Sequence, residues 1–309
     1  MPEFWVLCAG TVPHAGFGER VDAAAEAGFG AITLFPEHYL DAVGREGLDS
    51  DAIRGLLQDA GVVVHQLDPL LDWYSDEASS SELALCHAAE ATGAKSLNVA
   101  PAFAPTTDLD FLADRLGRVG ERAAARGLSI DLEFLPWSPI SDLGTAVTVV
   151  RACGLRNVGV MLDSWHFFRS GGRLSDLTAD MLNHVTAVQL NDAPLVPARR
   201  GVRERWETSR ALLGWARNGW RTLGVRDLVR LMRHAALSAS ADVTGETLTR
   251  RLLPGEGEQP VAELVAALRA AGCKATMGVE VFNSALHRLP PREAARRAME
   301  SCRRVSAPR

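Results

Sequence analysis

The sequence contains few cysteines, and none of them are close together. Spacings such as Cys-x-x-Cys, which are typical of structural zinc sites, are therefore absent, and an odd number of cysteines argues against a disulfide framework. We expect free, mostly buried thiols, as in a protein of the reducing cytoplasm. The five cysteines are Cys8, Cys86, Cys153, Cys273 and Cys302.

Long apolar runs and a large excess of one charge are also absent. No stretch approaches the roughly 20 apolar residues that span a bilayer, and residues 1–5 lack the basic region and apolar core of a signal peptide. The net charge is −5, with 47% hydrophobic and 23% charged residues. This balance gives no reason to expect nucleic acid or a membrane as a partner. We expect a cytoplasmic globular protein with an ordinary core.

Glycine-rich nucleotide-binding motifs are missing as well. No Gly-x-Gly-x-x-Gly follows the first predicted strand, and no Walker A sequence occurs. An open sheet that binds a dinucleotide or a nucleoside triphosphate is therefore poorly supported.

What the sequence does contain is a regular alternation of β-branched runs and amphipathic helical stretches. Helix patterns such as Gly18–Ala27 are followed by a glycine, which ends a helix at no steric cost, and a strand pattern follows soon after. Eight such units favour a closed (β/α)₈ TIM barrel, an α/β fold, as a single domain over residues 1–309. The predicted strands are Phe4–Ala9, Ala31–Phe35, Val62–Leu67, Ser96–Ala100, Leu128–Phe134, Gly159–Asp163, Thr186–Leu190 and Thr276–Phe282.

One segment interrupts this alternation. Gln189 and Glu280 are 91 residues apart, which leaves about 60 extra residues, 194–254, between the seventh and eighth strands. From Arg199 to Arg251 there are twelve arginines, five acidic residues and three tryptophans. We predict an insertion on the catalytic face, because a segment after a barrel strand starts at that face. It is expected to act as a lid, as an oligomer contact or as a solvated surface.

Four of the predicted strands end near a side chain that can bind a metal through oxygen. Because active sites of such barrels lie at the carboxyl ends of the strands, we expect these side chains to converge. A buried carboxylate is costly unless it is paired or bound to a cation. Oxygen-rich ligands without thiolate favour one Mn²⁺ or Mg²⁺ ion, with Co²⁺ or Zn²⁺ as alternatives. The four predicted metal ligands are Glu133, Asp163, Gln189 and Glu280.

Two histidines are candidate catalytic residues. His166 comes three residues after Asp163, beyond the predicted ligands but beside them, where an imidazole can transfer a proton. His65 lies near the end of the third predicted strand and could point into the barrel mouth. The alternative for both is a packing histidine bonded to backbone.

These residues resemble the sugar phosphate isomerase/epimerase superfamily, also called xylose-isomerase-like TIM barrels. It includes ketose 3-epimerases, inosose dehydratase and isomerase, 3-dehydroshikimate dehydratase and endonuclease IV. The resemblance implies the same four metal ligands and a substrate contact at His166. Most epimerases have histidine where this chain has Gln189. The 3-dehydroshikimate dehydratases are similar here, with a glutamine, a following Asp-Ala-Pro like residues 192–194 and a Pro-Gly-x-Gly element like residues 254–257.

The resemblance implies an enolising enzyme that acts on a small polyhydroxylated carbonyl compound. The ion polarises the carbonyl, and Glu133 or Glu280 removes the neighbouring proton. Return of the proton to carbon gives isomerisation or epimerisation, whereas loss of a β-hydroxyl protonated by His166 gives dehydration; the sequence leaves this choice open. The alternatives are an endonuclease IV-like phosphodiesterase, whose extra ligands we do not find, and a non-catalytic barrel subunit. A homo-oligomer is possible.

Overall fold

The computed structural model describes residues 4–197 and 241–307. Eight parallel strands pair in chain order, and the last pairs with the first, so the sheet closes into a barrel. The predicted TIM barrel is confirmed. The strands are β1 (Trp5–Leu7), β2 (Ala31–Leu34), β3 (Val63–Leu70), β4 (Ser96–Val99), β5 (Ser129–Glu133), β6 (Val158–Asp163), β7 (Val185–Leu190) and β8 (Thr276–Val279).

Helices between the strands cover the outside of the barrel. Several begin at a capping side chain: the Asp49 carboxylate, for example, accepts the backbone N–H of Ala52, which satisfies a donor that the first helical turn leaves free. Gly61, just past the end of the same helix, has a φ of 64°, a conformation that favours glycine. The helices are Phe17–Ala27, Pro36–Gly44, Ser50–Ala60, Ser80–Thr92, Leu109–Ala124, Leu143–Cys153, Ser164–Arg169, Ala179–Leu182, Ala241–Thr249, Val261–Ala270 and Pro291–Ser306.

The two faces of the barrel wall differ in chemistry. Outward-facing strand residues such as Leu34, Leu132 and Leu162 pack under the helices in the main apolar core. The strand register places small or polar residues on the inner face. At the carboxyl end this face carries one buried residue for each strand, which we call the mouth ring. It consists of Cys8, Thr33, Asp68, Asn98, Glu133, Asp163, Gln189 and Glu280.

Two other predictions can be compared with the structure. All five cysteines are free and four of them are buried, as predicted. The insertion predicted at residues 194–254 is described only at its two ends, so its role as a lid or an oligomer contact remains a prediction. No helix in the described ranges has the length and apolar character that crossing a membrane requires.

Gly278 tests how tightly the inside of the barrel is packed. A Cβ at this position of β8 would lie 2.6 Å from the Cys8 sulfur and 3.3 Å from the Val6 carbonyl oxygen. We expect Gly278→Ala to lower the free energy of unfolding by about 1–3 kcal/mol, the usual cost of overpacking. In the matched control Gly55→Ala, the helical Cβ meets nothing within 4 Å, so stability should rise by up to about 1 kcal/mol. Urea unfolding measures both, and a Gly278→Ala protein as stable as the wild type would contradict the packing.

Candidate metal centre

Three side chains form the centre of the candidate site. One potential ligand atom from each of Glu133, Asp163 and His166 lies within 4.8 Å of the other two, and all three residues are buried. Asp163 ends β6 and caps the helix Ser164–Arg169, since its Oδ1 accepts the His166 backbone N–H at 2.9 Å. His166 Nε2 lies 3.1 Å from Glu133 Oε1. The turn from strand to helix thus brings His166 among the predicted ligands rather than beyond them.

Gln189 lies on the same inner face, because it pairs with Asp163 on β6 and with Gly278 on β8. Its side chain is buried, and neither its amide oxygen nor its amide nitrogen has a hydrogen-bond partner among the described residues. A buried amide without a partner is costly. An ion bound to the amide oxygen would reduce that cost.

Glu280 follows β8 and completes the predicted set. Burial raises the pKa of its carboxyl well above the usual range, and the nearby charge of Asp68 raises it further. Glu133 and Asp163 also raise this pKa, whereas Arg251 lowers it. These carboxylates are all buried, and repulsion between buried carboxylates is relieved by a bound cation.

Arg251 places a positive charge inside this site. Its NH1 lies 2.8 Å from Asp163 Oδ2 and 3.7 Å from Glu280 Oε2, and its NH2 lies 3.4 Å from His166 Nε2. The guanidinium also donates to the carbonyl and the hydroxyl of Thr247. This role could not be predicted from the sequence, because Arg251 is one of many arginines in the predicted insertion.

Two asparagines hold the carboxylates in place. Asn98 donates to Glu133 Oε2 at 2.8 Å, and Asn191 donates to Asp163 Oδ2 at 2.8 Å. Such hydrogen bonds fix the orientation of a metal ligand. Asn98 ends β4 in the same way as the predicted ligands end their strands, so the same sequence signal could have found it.

Aromatic side chains enclose the site on one side. The Arg251 guanidinium carbon lies 5.4 Å from the ring centre of Trp165 and 5.2 Å from that of Phe282. The Trp137 ring packs edge to face against His166, with centroids 5.5 Å apart. These rings keep water away from the buried charges and thereby strengthen their interactions.

Arg169 joins the two described ends of the insertion beside the site. Its Nε and NH2 donate to Glu246 Oε1 at 2.8 and 2.6 Å, and Trp165 Nε1 donates to the same oxygen. Its NH1 and NH2 also donate to the carbonyls of Leu195 and Pro194. The two described ends of the insertion are therefore both bonded to the Arg169 guanidinium group.

His65 is the predicted catalytic residue that the structure does not bring to the site. It is the third residue of β3, and its ring contacts that of Phe4, which precedes β1, at a centroid distance of 6.3 Å. Both residues lie toward the amino ends of the strands, whereas the site lies at the carboxyl ends. The prediction is corrected because β3 continues to Leu70, three residues past its predicted end.

The donor set suits a divalent cation. Three carboxylates and an amide supply oxygen, which fits Mn²⁺ or Mg²⁺, with Co²⁺ or Zn²⁺ as alternatives. The orphaned amide of Gln189 supports the same assignment.

The sequence matches the family described as xylose isomerase-like TIM barrel over residues 21–305. The chain belongs to this family. It is 25% identical over 313 residues to a 3-dehydroshikimate dehydratase of Pseudomonas aeruginosa, an alignment that covers 93% of this chain and 38% of the relative. It spans about two fifths of the length of the two curated 3-dehydroshikimate dehydratases that it matches.

Solved structures share the fold. One is the IOLI protein with a binding zinc atom, at a TM-score of 0.72 and 15% identity, covering 98% of this chain and 97% of the other. Another is a probable 3-DHS dehydratase from Bacillus anthracis, at a TM-score of 0.67 and 15% identity, covering 98% of each chain. At these identities the likeness shows the fold alone.

The first prediction from the site concerns metal binding. Mn²⁺ is expected to raise the Tm of the protein, because it relieves the repulsion between the buried carboxylates. Glu133→Gln and Glu280→Gln should weaken Mn²⁺ binding at least about tenfold, because losing even a residue that only orients a metal ligand costs about 10–100-fold. Gln189→His should keep binding, since imidazole is also a neutral donor. Calorimetric titration measures each affinity.

The exposed Glu256 supplies the matched control, because Glu256→Gln removes one negative charge outside the ring. Its Mn²⁺ affinity should equal that of the wild type. Unchanged affinity in both ring variants would contradict the site, and complete loss in Gln189→His would show that this glutamine does more than donate an oxygen.

The second prediction concerns pH. Burial raises the pKa of Asp68 from 3.8 to about 8; Glu133 and Glu37 add to the rise, and Thr33 and Arg20 oppose it. Because the folded state holds this proton more tightly than the unfolded state, the stability of the metal-free protein should fall as pH rises from about 4 to about 8.

Asp68→Asn removes this contribution. With chelator present, the Tm of this variant minus that of the wild type should increase as pH rises. The increase should be roughly 4 °C or more if the variant avoids about 2 kcal/mol of the destabilisation caused by ionised Asp68. Parallel Tm curves across this pH range would contradict the prediction.

Proposed function

We propose that this protein is a divalent-metal-dependent lyase that enolises and dehydrates 3-dehydroshikimate or a close polyhydroxylated relative. The observation that carries the proposal is the buried cluster of Glu133, Asp163 and His166, with Gln189 and Glu280 on the same inner face. Sequence likeness to a 3-dehydroshikimate dehydratase over most of the chain supports the choice of substrate.

Glu133, Asp163, Gln189 and Glu280 would hold the ion, which would polarise the substrate carbonyl and stabilise the charge that forms when the α-proton leaves. Glu133 and Glu280 are the two candidate bases. Both oxygens of Glu133 already have partners, Asn98 and His166. Glu280 Oε2 lies 3.7 Å from Arg251 NH1, beyond hydrogen-bond distance, so the Glu280 carboxylate is the proposed base.

His166 is the proposed acid for the leaving hydroxyl. The α-proton passes to the base, the C–O bond breaks, and the hydroxyl departs as water with the proton from His166. Its Nδ1 is buried without a hydrogen-bond partner in the described chain, so Nε2, beside Glu133, is the atom placed for the transfer. Arg251 supplies positive charge for an anionic substrate, and 3-dehydroshikimate carries a carboxylate.

Isomerisation or epimerisation is the second candidate. It uses the same ion and base and differs only in where the proton goes. The contact between His166 Nε2 and Glu133 favours it, because a donor engaged by a carboxylate is less free to protonate a leaving group.

The test is turnover by the Mn²⁺-loaded protein. Dehydration of 3-dehydroshikimate gives an aromatic dihydroxybenzoate that absorbs in the ultraviolet. His166→Ala should lower kcat by about 100-fold or more, the usual scale for losing a general acid, while Mn²⁺ affinity changes little. His184→Ala is the matched control, since His184 lies outside the site and bonds Arg151.

The outcomes separate the candidates. Deuterium exchange into inososes or keto sugars in D₂O, without an aromatic product from 3-dehydroshikimate, would assign an isomerase or epimerase. Neither product nor exchange would contradict both candidates, and unchanged turnover in His166→Ala would return this residue to a packing role.

A further inference from the structure

The mouth ring contains one acidic residue that the proposed function does not use. Asp68 is the sixth residue of β3 and lies between Thr33 of β2 and Asn98 of β4 in the ring. It is 2% exposed. In a closed barrel of eight strands, β3 lies opposite β7, so Asp68 lies across the ring from Gln189.

Asp68 shares the space of the candidate metal centre. Its charge is the largest after burial among the causes that raise the pKa of Glu280, and it also raises that of Cys8. The charge of Glu133 in turn raises the pKa of Asp68. Together with the buried position of Asp68 near the end of β3, these mutual effects indicate that its carboxyl group faces the same cavity as the predicted ligands.

The chain gives this carboxyl group one hydroxyl neighbour, Thr33, which lowers its pKa through a weak hydrogen bond. Neither of its oxygens makes a well-formed hydrogen bond in the described chain. The guanidinium that opposes its charge belongs to Arg20, but the NH2 of Arg20 donates to the Ala15 carbonyl and contacts His38 Nε2. The Nε and NH1 of Arg20 are also buried without a partner. A buried acid without a well-formed hydrogen bond costs stability, which indicates a role in binding or catalysis.

We propose that Asp68 is a substrate-binding residue whose carboxyl group hydrogen-bonds a hydroxyl of a polyhydroxylated carbonyl compound on the side of the mouth opposite Gln189. The class of compound rests on the proposed function. A carboxyl group has two oxygens that can accept from neighbouring hydroxyls, or donate and accept when it is protonated. A site built to bond a hydroxyl rejects analogues that lack it, so Asp68 determines specificity for hydroxylated substrates.

The test is calorimetric binding of unreactive ring compounds to the Mn²⁺-loaded protein. The hydroxylated probes are shikimate, quinate and myo-inositol, and the unhydroxylated probe is cyclohexanecarboxylate. Asp68→Ala should weaken binding of at least one hydroxylated probe by about tenfold or more. Its affinity for cyclohexanecarboxylate should stay within about a factor of two of the wild type, and it should still bind Mn²⁺, although less tightly because one nearby negative charge is removed. Asp68→Asn, which keeps one acceptor, should show a smaller loss.

Asp131→Asn is the matched control. Asp131 is also a buried aspartate on the inner face of the barrel, but its oxygens accept from Gln66 and Thr186 toward the amino ends of the strands. This variant should bind all probes as the wild type does. Circular dichroism and Tm show that each variant is folded.

Three results would overturn the inference. The first is that Asp68→Ala binds every hydroxylated probe as tightly as the wild type, and the second is that the wild type binds none of them. The third is that Asp68→Ala loses Mn²⁺ together with the probes, which would make Asp68 a metal ligand. The proposed function fails separately: a protein that turns over no substrate but binds hydroxylated probes through Asp68 supports this inference and contradicts the proposed lyase.

Discussion

Repulsion between buried carboxylates is the constraint on which the rest of the structure depends. Glu133, Asp163, Glu280 and Asp68 all lie in one ring of the barrel, and like charges in a poorly solvated space destabilise one another. Arg251 offsets part of this repulsion from within the ring. A divalent cation would offset more, so folding of the barrel mouth and metal binding are expected to be thermodynamically linked.

The barrel tolerates this repulsion because its stability comes from the apolar core outside the strands. The outer face of the strands and the inner faces of the helices form one large apolar core, while the inner face of the strands is left to small and polar residues. Gly278 and Gly159 leave no room for a Cβ beside Cys8 and Thr186, so the inside is narrow as well as polar. Hydrogen bonds from Asn98 and Asn191 then fix the charged groups.

The sequence predicted most of the fold and much of the site, because both depend on local pattern. Polar residues near the ends of strand patterns located Glu133, Asp163, Gln189 and Glu280 on one face. Arg251 could not be found in this way, since its contact with Asp163 joins positions 88 residues apart. Asp68 was missed for a local reason: the third strand was predicted to end at Leu67, yet β3 continues to Leu70.

The hydrogen bonds from Arg169 to Glu246, Pro194 and Leu195 have an evolutionary consequence. About 50 residues separate Leu195 from Glu246, and the entropy of closing a loop grows only slowly with its length, by about 0.6 kcal/mol for each doubling. Because both ends of the intervening segment are bonded to the Arg169 guanidinium, that segment can lengthen, shorten or be exchanged without moving Arg251. In evolution, the segment above the barrel mouth can therefore change while the residues of the candidate site stay the same.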